Sequence, residues 1–173
     1  MKFPALPLAL ALCLNAIPVS VSLPASPLGA PIVLAAGEDP EAIVAAIYAQ
    51  WADPCCNYFN VIDRHFSPPL MKLYRDVEAG AANDIEFAID FDIFLNAQDE
   101  DTVTNVTITP IEETAETAAL KVTYTVFGEE KTGTYDFIRT AEGWKIDDMG
   151  WDEERKQLRA MLKALQQDQR KSR

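Results

Sequence analysis

The chain holds little of what most catalytic motifs need. It has one histidine, three cysteines and seven glycines in 173 residues. A single histidine excludes a His-rich metal site. No glycine-rich phosphate loop and no Gly-x-Ser-x-Gly elbow is present, so nucleotide-dependent and serine-hydrolase chemistry have no motif here. Basic residues are scarce as well, 15 against 27 acidic ones, and they do not cluster among aromatics. Nucleic acid is therefore not an expected partner. Apolar runs are short: Pro4, Pro7, Pro18, Pro24, Pro27 and Pro31 interrupt the N-terminal one, which falls below the roughly 20 apolar residues that span a bilayer.

That N-terminal run carries the first positive signal. Lys2, the apolar stretch from Ala5 to Ile17 and the lack of any acid before Glu38 read as an export signal over residues 1–36. Cleavage fits either after Ser20-Val21-Ser22 or near Val33-Leu34-Ala35-Ala36. Cys13 follows Ala11-Leu12, too bulky a step for a lipoprotein signal, so no stable membrane insertion is expected once the leader is gone. The expected location is periplasmic or secreted. Residues 37–150 are long enough for one domain with one core, followed by a C-terminal helix and basic tail over 151–173.

Charge is uneven along the mature part. Residues 37–151 carry a net −16, and the tail from Asp152 to Arg173 carries +3. Such a body suits a cationic protein partner or a small ligand, and it also serves solubility. The mature chain keeps only Cys55 and Cys56, which are neighbours. Their α-carbons lie about 3.8 Å apart across a trans peptide, below the ~4.4–6.8 Å of an ordinary disulfide. The pair reads either as a strained, reducible vicinal bond or as two thiols in a loop.

Local signals divide the rest. Asp39-Pro40-Glu41 is an N-cap, a first-turn proline and a first-turn acid, opening a helix with Ile43, Val44, Ile47, Tyr48 and Trp51 on one face as far as Ala52. A short helix over 57–65 follows, and Ser67-Pro68-Pro69 caps a third that ends near Ala79-Gly80. From Ile85 to Phe94 the apolar period becomes two, which predicts a strand, with helical spacing through Phe87, Phe91 and Leu95 as the competitor. Strands are predicted over 102–109, 118–127, 131–140 and 144–147, joined by turn-sized links. Asp152, with Glu153 and Glu154, is the expected cap of a last helix carrying the stripe Leu158, Met161, Leu162 and Leu165. The expected fold is α+β: three N-terminal helices packed on a curved antiparallel sheet of about four to five strands, plus a C-terminal amphipathic helix.

This element order, with His65-Phe66-Ser67-Pro68-Pro69-Leu70, Phe94-Leu95-Asn96-Ala97-Gln98-Asp99 and Gly143-Trp144-Lys145-Ile146-Asp147-Asp148, resembles an exported bacterial family. That family is catalogued as domain of unknown function 3828, within the nuclear-transport-factor-two-like superfamily. The resemblance covers about Pro40 to Met149 and implies a cone in which a bent sheet wraps the N-terminal helices around a pocket. It implies no catalytic residues, and the fold hosts both enzymes and binding modules.

The stretch from Asp90 to Asp101 combines five carboxylates with apolar residues and is the first place to seek a site. In the expected pocket, Tyr48, Trp51, Phe59, Phe66 and the aromatics Phe87, Phe91 and Phe94 would form the lining, with Asp90, Asp92 or Asp99 at the rim. Asn96, Gln98 and Asp99 would offer polar contacts to a ligand. Asp90, Asp92 and His65 are the candidate catalytic groups, a buried carboxylate acting as general base in an isomerase, dehydratase or hydrolase. Their bland readings are a solvated strand face for the acids and a helix-end residue for His65. Asp99, Glu100 and Asp101, with Asp147 or Asp148, could supply oxygens to calcium, although their spacing matches no known loop. No cofactor is implied. The reading favoured by the residues is a non-enzymatic module of the cell envelope that binds a small ligand or a cationic protein; the pocket enzyme and the calcium binder are the alternatives.

Overall fold

The computed structural model describes residues 38–52, 58–81, 88–99 and 101–171. The expected leader, Cys55, Cys56, Glu100 and residues 85–87 lie outside them. Helix α1 spans Pro40–Ala49, and its cap forms as the sequence predicts, with the Asp39 carboxylate accepting from the Ala42 amide at 2.7 Å. The helix tightens into a 3-10 turn over Gln50–Ala52, which delivers Trp51 to the core. Helix α2 spans Tyr58–His65 and α3 spans Pro68–Ala81. Ser67 caps α3, its hydroxyl accepting from the Leu70 amide at 3.2 Å.

Four strands follow in sequence order as an antiparallel meander: β1 Thr104–Glu113, β2 Thr117–Val126, β3 Glu129–Thr140 and β4 Gly143–Trp151. Phe127 and Gly128 make the β2–β3 turn with φ of 53° and 75°, the paired left-handed conformation that matches the twist of a hairpin. Helix α1 packs on β1 and β2, and α2 and α3 pack against β4. Val122, Tyr124, Tyr135, Phe137 and Ile146 form the buried side of the sheet under them.

The sheet departs from expectation in three places, the first being β1, which was predicted to stop at Thr109 and runs on to Glu113. The strand predicted up to Phe94 is not part of it in the described portion. Residues 88–99 run as bends and a turn, closed by a lone bridge between Asp92 and Ala97. The cause is local: the Asp92 carboxylate accepts from the Phe94 amide at 2.7 Å and from the Leu95 amide at 3.0 Å, turning the chain before a ladder can form. The last strand, predicted to stop at Asp147, continues to Trp151. Asp136 pairs with Asp148 while Phe137 pairs with Ile146, which leaves Asp147 opposite nothing. This bulge switches the parity, so Trp144 and Ile146 are buried before it and Met149 and Trp151 after it.

Helix α4 spans Leu158–Lys171 and packs on α3 and β4 through buried Leu158 and Leu162. It begins well after the predicted cap. Asp152 and Glu153 sit instead at φ of 52° and 71° in a turn whose first amide bonds the Thr132 carbonyl at 3.1 Å. The loop then folds back over the sheet, where Thr134 donates to the Glu154 carbonyl at 2.8 Å. Gly150 makes this possible, since a β-carbon there would stand 1.9 Å from that carbonyl oxygen. The cap of α4 comes from β4: Asp148 accepts from the Arg159 amide at 3.0 Å.

Candidate functional site

The space between α1 and the sheet, where a pocket was expected, is filled by the chain itself. Ile93, Phe94 and Leu95 are at most 1% exposed. The carbonyls of Ile93 and Phe94 are taken by side chains of the surrounding elements. Phe94 O accepts from the Tyr48 hydroxyl at 3.0 Å and the Tyr124 hydroxyl at 3.2 Å, and Ile93 O accepts from the Trp151 indole at 2.7 Å. Lys131 donates to Asn96 O at 2.7 Å, and Tyr135 donates to the Tyr48 hydroxyl at 3.0 Å. Burial pushes all three phenols upward, so each stays protonated and acts as a fixed donor. The tyrosines form a clamp on the segment.

The sequence-predicted residues therefore divide. Trp51 is buried with its ring 5.9 Å from Phe94, and half-buried Phe91 meets Trp151 edge-on at 5.6 Å. Asn96 sits at φ 49° in the turn. Asp92 is engaged by the two amides named above, while Asp90, Gln98 and Asp99 are exposed. His65 lies elsewhere. The charged groups acting on it are Arg64, Glu38 and Lys145, and no hydrogen bond or ion pair among the described residues joins it to Asp90, Asp92 or Asp99.

Among the described residues, no group of three or more His, Cys, Asp or Glu is placed to hold a metal ion. Asp101 accepts from the Thr102 and Phe127 amides at 2.7 and 3.3 Å. Asp147 accepts from Ser67 Oγ at 2.6 Å and pairs with Arg159. These bonds tie the β4 bulge to the starts of α3 and α4.

Two surface clefts were not legible in the sequence. One adjoins a row of acids across the sheet, where register places Glu112, Ala119, Asp136 and Asp148 side by side, Asp136 and Asp148 being buried. Arg155, from the loop before α4, lies on it, pairing with Asp136 and with Glu112 at 2.9 Å. Beside that row, a cleft of about 260 Å³ opens between the start of α1 and the far end of β1. Asp39, Glu41, Glu112 and Glu113 rim it over Pro40, Pro110, Ala118 and Leu120, with no basic residue in the lining. The other is a cleft of about 240 Å³ at the end of α2 and the β3–β4 turn, containing His65, Trp144 and Lys145. The only hint of the first was the acid pairs Asp39/Glu41 and Glu112/Glu113, far apart in the chain and joined by topology alone.

No known family profile matches the chain. No curated protein matches it either. Among solved structures it is similar to a phospholipid-binding protein from Ralstonia solanacearum in complex with a phospholipid, with 14% identity over 74% of this chain and 81% of that one. The TM-score is 0.43. A likeness of that degree says nothing about the ligand of this chain. Among the described residues, no helix is long and apolar enough to cross a membrane.

Proposed function

We propose that the chain is a non-enzymatic binding module of the bacterial cell envelope whose α1–β1 corner receives a cationic segment of a protein partner. One observation carries this reading: the corner cleft joins four carboxylates to an apolar floor and has no cation of its own in the lining. A lysine or arginine stem would lie on Pro40, Pro110 and Leu120 with its head among the acids. The neighbouring Arg155 already pairs with Glu112 at 2.9 Å. Strand β1 supports docking beside the cleft, being ten residues long, exposed along almost its whole length and bearing the exposed apolar side chains Val106 and Ile111. Pro110 and two irregularities in register guard that edge against uncontrolled pairing, so recognition rests on side chains. The N-terminal signal supports export, and the element order supports the cone-like family resemblance.

The test is capture from envelope extracts with the mature protein as bait. Basic partners are expected to be retained at low salt and released as salt rises. The double variant Glu41→Lys/Glu113→Lys is expected to weaken retention by roughly tenfold or more, as reversed charges at a docking rim do. Retention unaffected by salt, or by the double variant, would sink the reading.

A further inference from the structure

His65 and Trp144 are both more than nine-tenths buried, at 7% and 6% exposure, and both line the cleft between the start of α1, the end of α2 and the β3–β4 turn. Neither the imidazole nor the indole N–H makes a hydrogen bond to another described residue. Yet among the described residues no fully enclosed side-chain nitrogen or oxygen lacks a partner. The cleft that both residues line offers these two rings a place for a ligand's hydrogen bonds.

The walls add cations. Arg64 stands 3.6 Å from Glu38, and Lys145 stands 3.7 Å from Glu142, both longer than a good hydrogen bond and both with exposed acids. The two pairs are loose and worth little, so the donors on Arg64 and Lys145 are available at small cost. Lys145 uses one donor on the Arg64 carbonyl at 2.8 Å, which also offsets the negative end of α2. Arg139 lies over the Trp144 ring at 5.1 Å. Arg64, Arg139 and Lys145 are three of only seven basic residues in 37–151, gathered at one place on an acidic body.

The cleft holds an indole N–H, a guanidinium, an ammonium and an imidazole that both donates and accepts, beside two exposed carboxylates, Glu38 and Glu142, that pair with the cations only loosely. Its complement is a group that brings acceptors and negative charge. We infer that this cleft binds a small oxyanion, a carboxylate or a phosphate, held by Lys145, Arg64, the Trp144 indole N–H and His65. Burial and the two neighbouring cations lower the His65 pKa, so at neutral pH the ring is uncharged and contributes a hydrogen bond while Lys145 and Arg64 contribute the charge. This site is separate from the acidic corner and stands whether or not that corner binds a partner.

His65 is the only histidine of the chain, so its imidazole is a single NMR reporter inside the site. Sodium phosphate and sodium acetate are titrated in parallel against sodium chloride at matched ionic strength. A saturable shift of the His65 ring signals with phosphate or acetate and not with chloride is expected, together with a rise in the imidazole titration midpoint in the bound state. Saturation by phosphate alone assigns a phosphoryl ligand, and saturation by acetate alone a carboxylate. Lys145→Gln is expected to weaken the interaction by roughly tenfold, the worth of one charged hydrogen bond. Because Lys145 also holds the Arg64 carbonyl, Arg64→Gln is measured beside it; that side chain is 70% exposed and its loss leaves the packing intact. Non-saturating drift equal to that in chloride overturns the inference, and so does undiminished affinity in Arg64→Gln.

Discussion

Tyr48 donates to the Phe94 carbonyl and accepts from Tyr135, so one hydroxyl joins α1, the inserted segment and β3. Tyr48→Phe leaves the Tyr135 hydroxyl without that acceptor in a dry interior, and the protein is expected to lose about 1–3 kcal/mol in urea unfolding. Phe94 O keeps Tyr124, so the segment itself stays seated. His65 gives the second test at this scale. Its folded pKa lies below the ordinary 6.5 because of burial first and the Arg64 and Lys145 charges after it, with Glu38 opposing them. Between the lowered value and 6.5 the unfolded chain binds the proton more strongly, so this contribution to stability is complete above 6.5 and is lost as pH falls through that window. The urea midpoint in chloride buffers is expected to drop between neutral and mildly acid pH in the native protein, and to drop less in His65→Gln. An identical pH response of the two proteins would show that the imidazole is not held neutral by the fold.

Helix α4 shows how an element depends on another for its end. Its own sequence offered Asp152 as the cap, but the turn at Asp152–Glu153 and the loop seated against Gly150 delay the helix to Leu158. The acceptor is then Asp148, which also takes the Met149 amide at 2.9 Å. Burial raises its pKa, while the two amides and the Arg159 charge pull it down. The folded state therefore holds this proton more tightly than the unfolded chain, and the associated stability is lost as pH rises through the window above 3.8. Near neutral pH the oxygen matters more than the charge. Asp148→Ala is expected to cost about 1–2 kcal/mol in urea unfolding, as lost caps do, and Asp148→Asn distinctly less because it keeps the acceptor. Equal losses in the two variants would show that the charge, and not the cap, is what holds α4.

For the whole molecule, the charge distribution separates two surfaces. The acidic corner at α1 and β1 lacks cations in its lining, whereas the cleft at His65 is lined by Arg64 and Lys145 beside Glu38 and Glu142, with Arg139 over the Trp144 ring. Salt is expected to weaken binding at the corner, where carboxylates lie on an open surface within a Debye length of solvent ions. The C-terminal helix packs back onto the domain, because Leu158 and Leu162 bury α4 on α3 and β4. The seven basic residues of 152–173 thus include Arg155 and Arg159, which neutralise Asp136, Glu112 and Asp147 within the fold.

The amino-acid sequence alone determined the elements whose causes are local: the Asp39 and Ser67 caps, the helical face of α1, the hairpin turns and the four strands of the meander. Each rests on a few neighbouring residues and a fixed backbone period. It also singled out the segment 90–101 as the first place to seek a site. Whether Asp92 faces a ligand or its own backbone depends on which surfaces close over Ile93–Leu95, and the tyrosines that close over them come from α1, β2 and β3. The bulge at Asp147 arises only from pairing with β3, and the burial of His65 only from packing against β4. The corner of Asp39, Glu41, Glu112 and Glu113 and the cleft of Arg64, His65, Trp144 and Lys145 exist because the fold brings distant stretches together. Tertiary structure thus made Ile93–Leu95, the apolar middle of the segment 90–101, a plug of the interior and left both candidate sites on the surface.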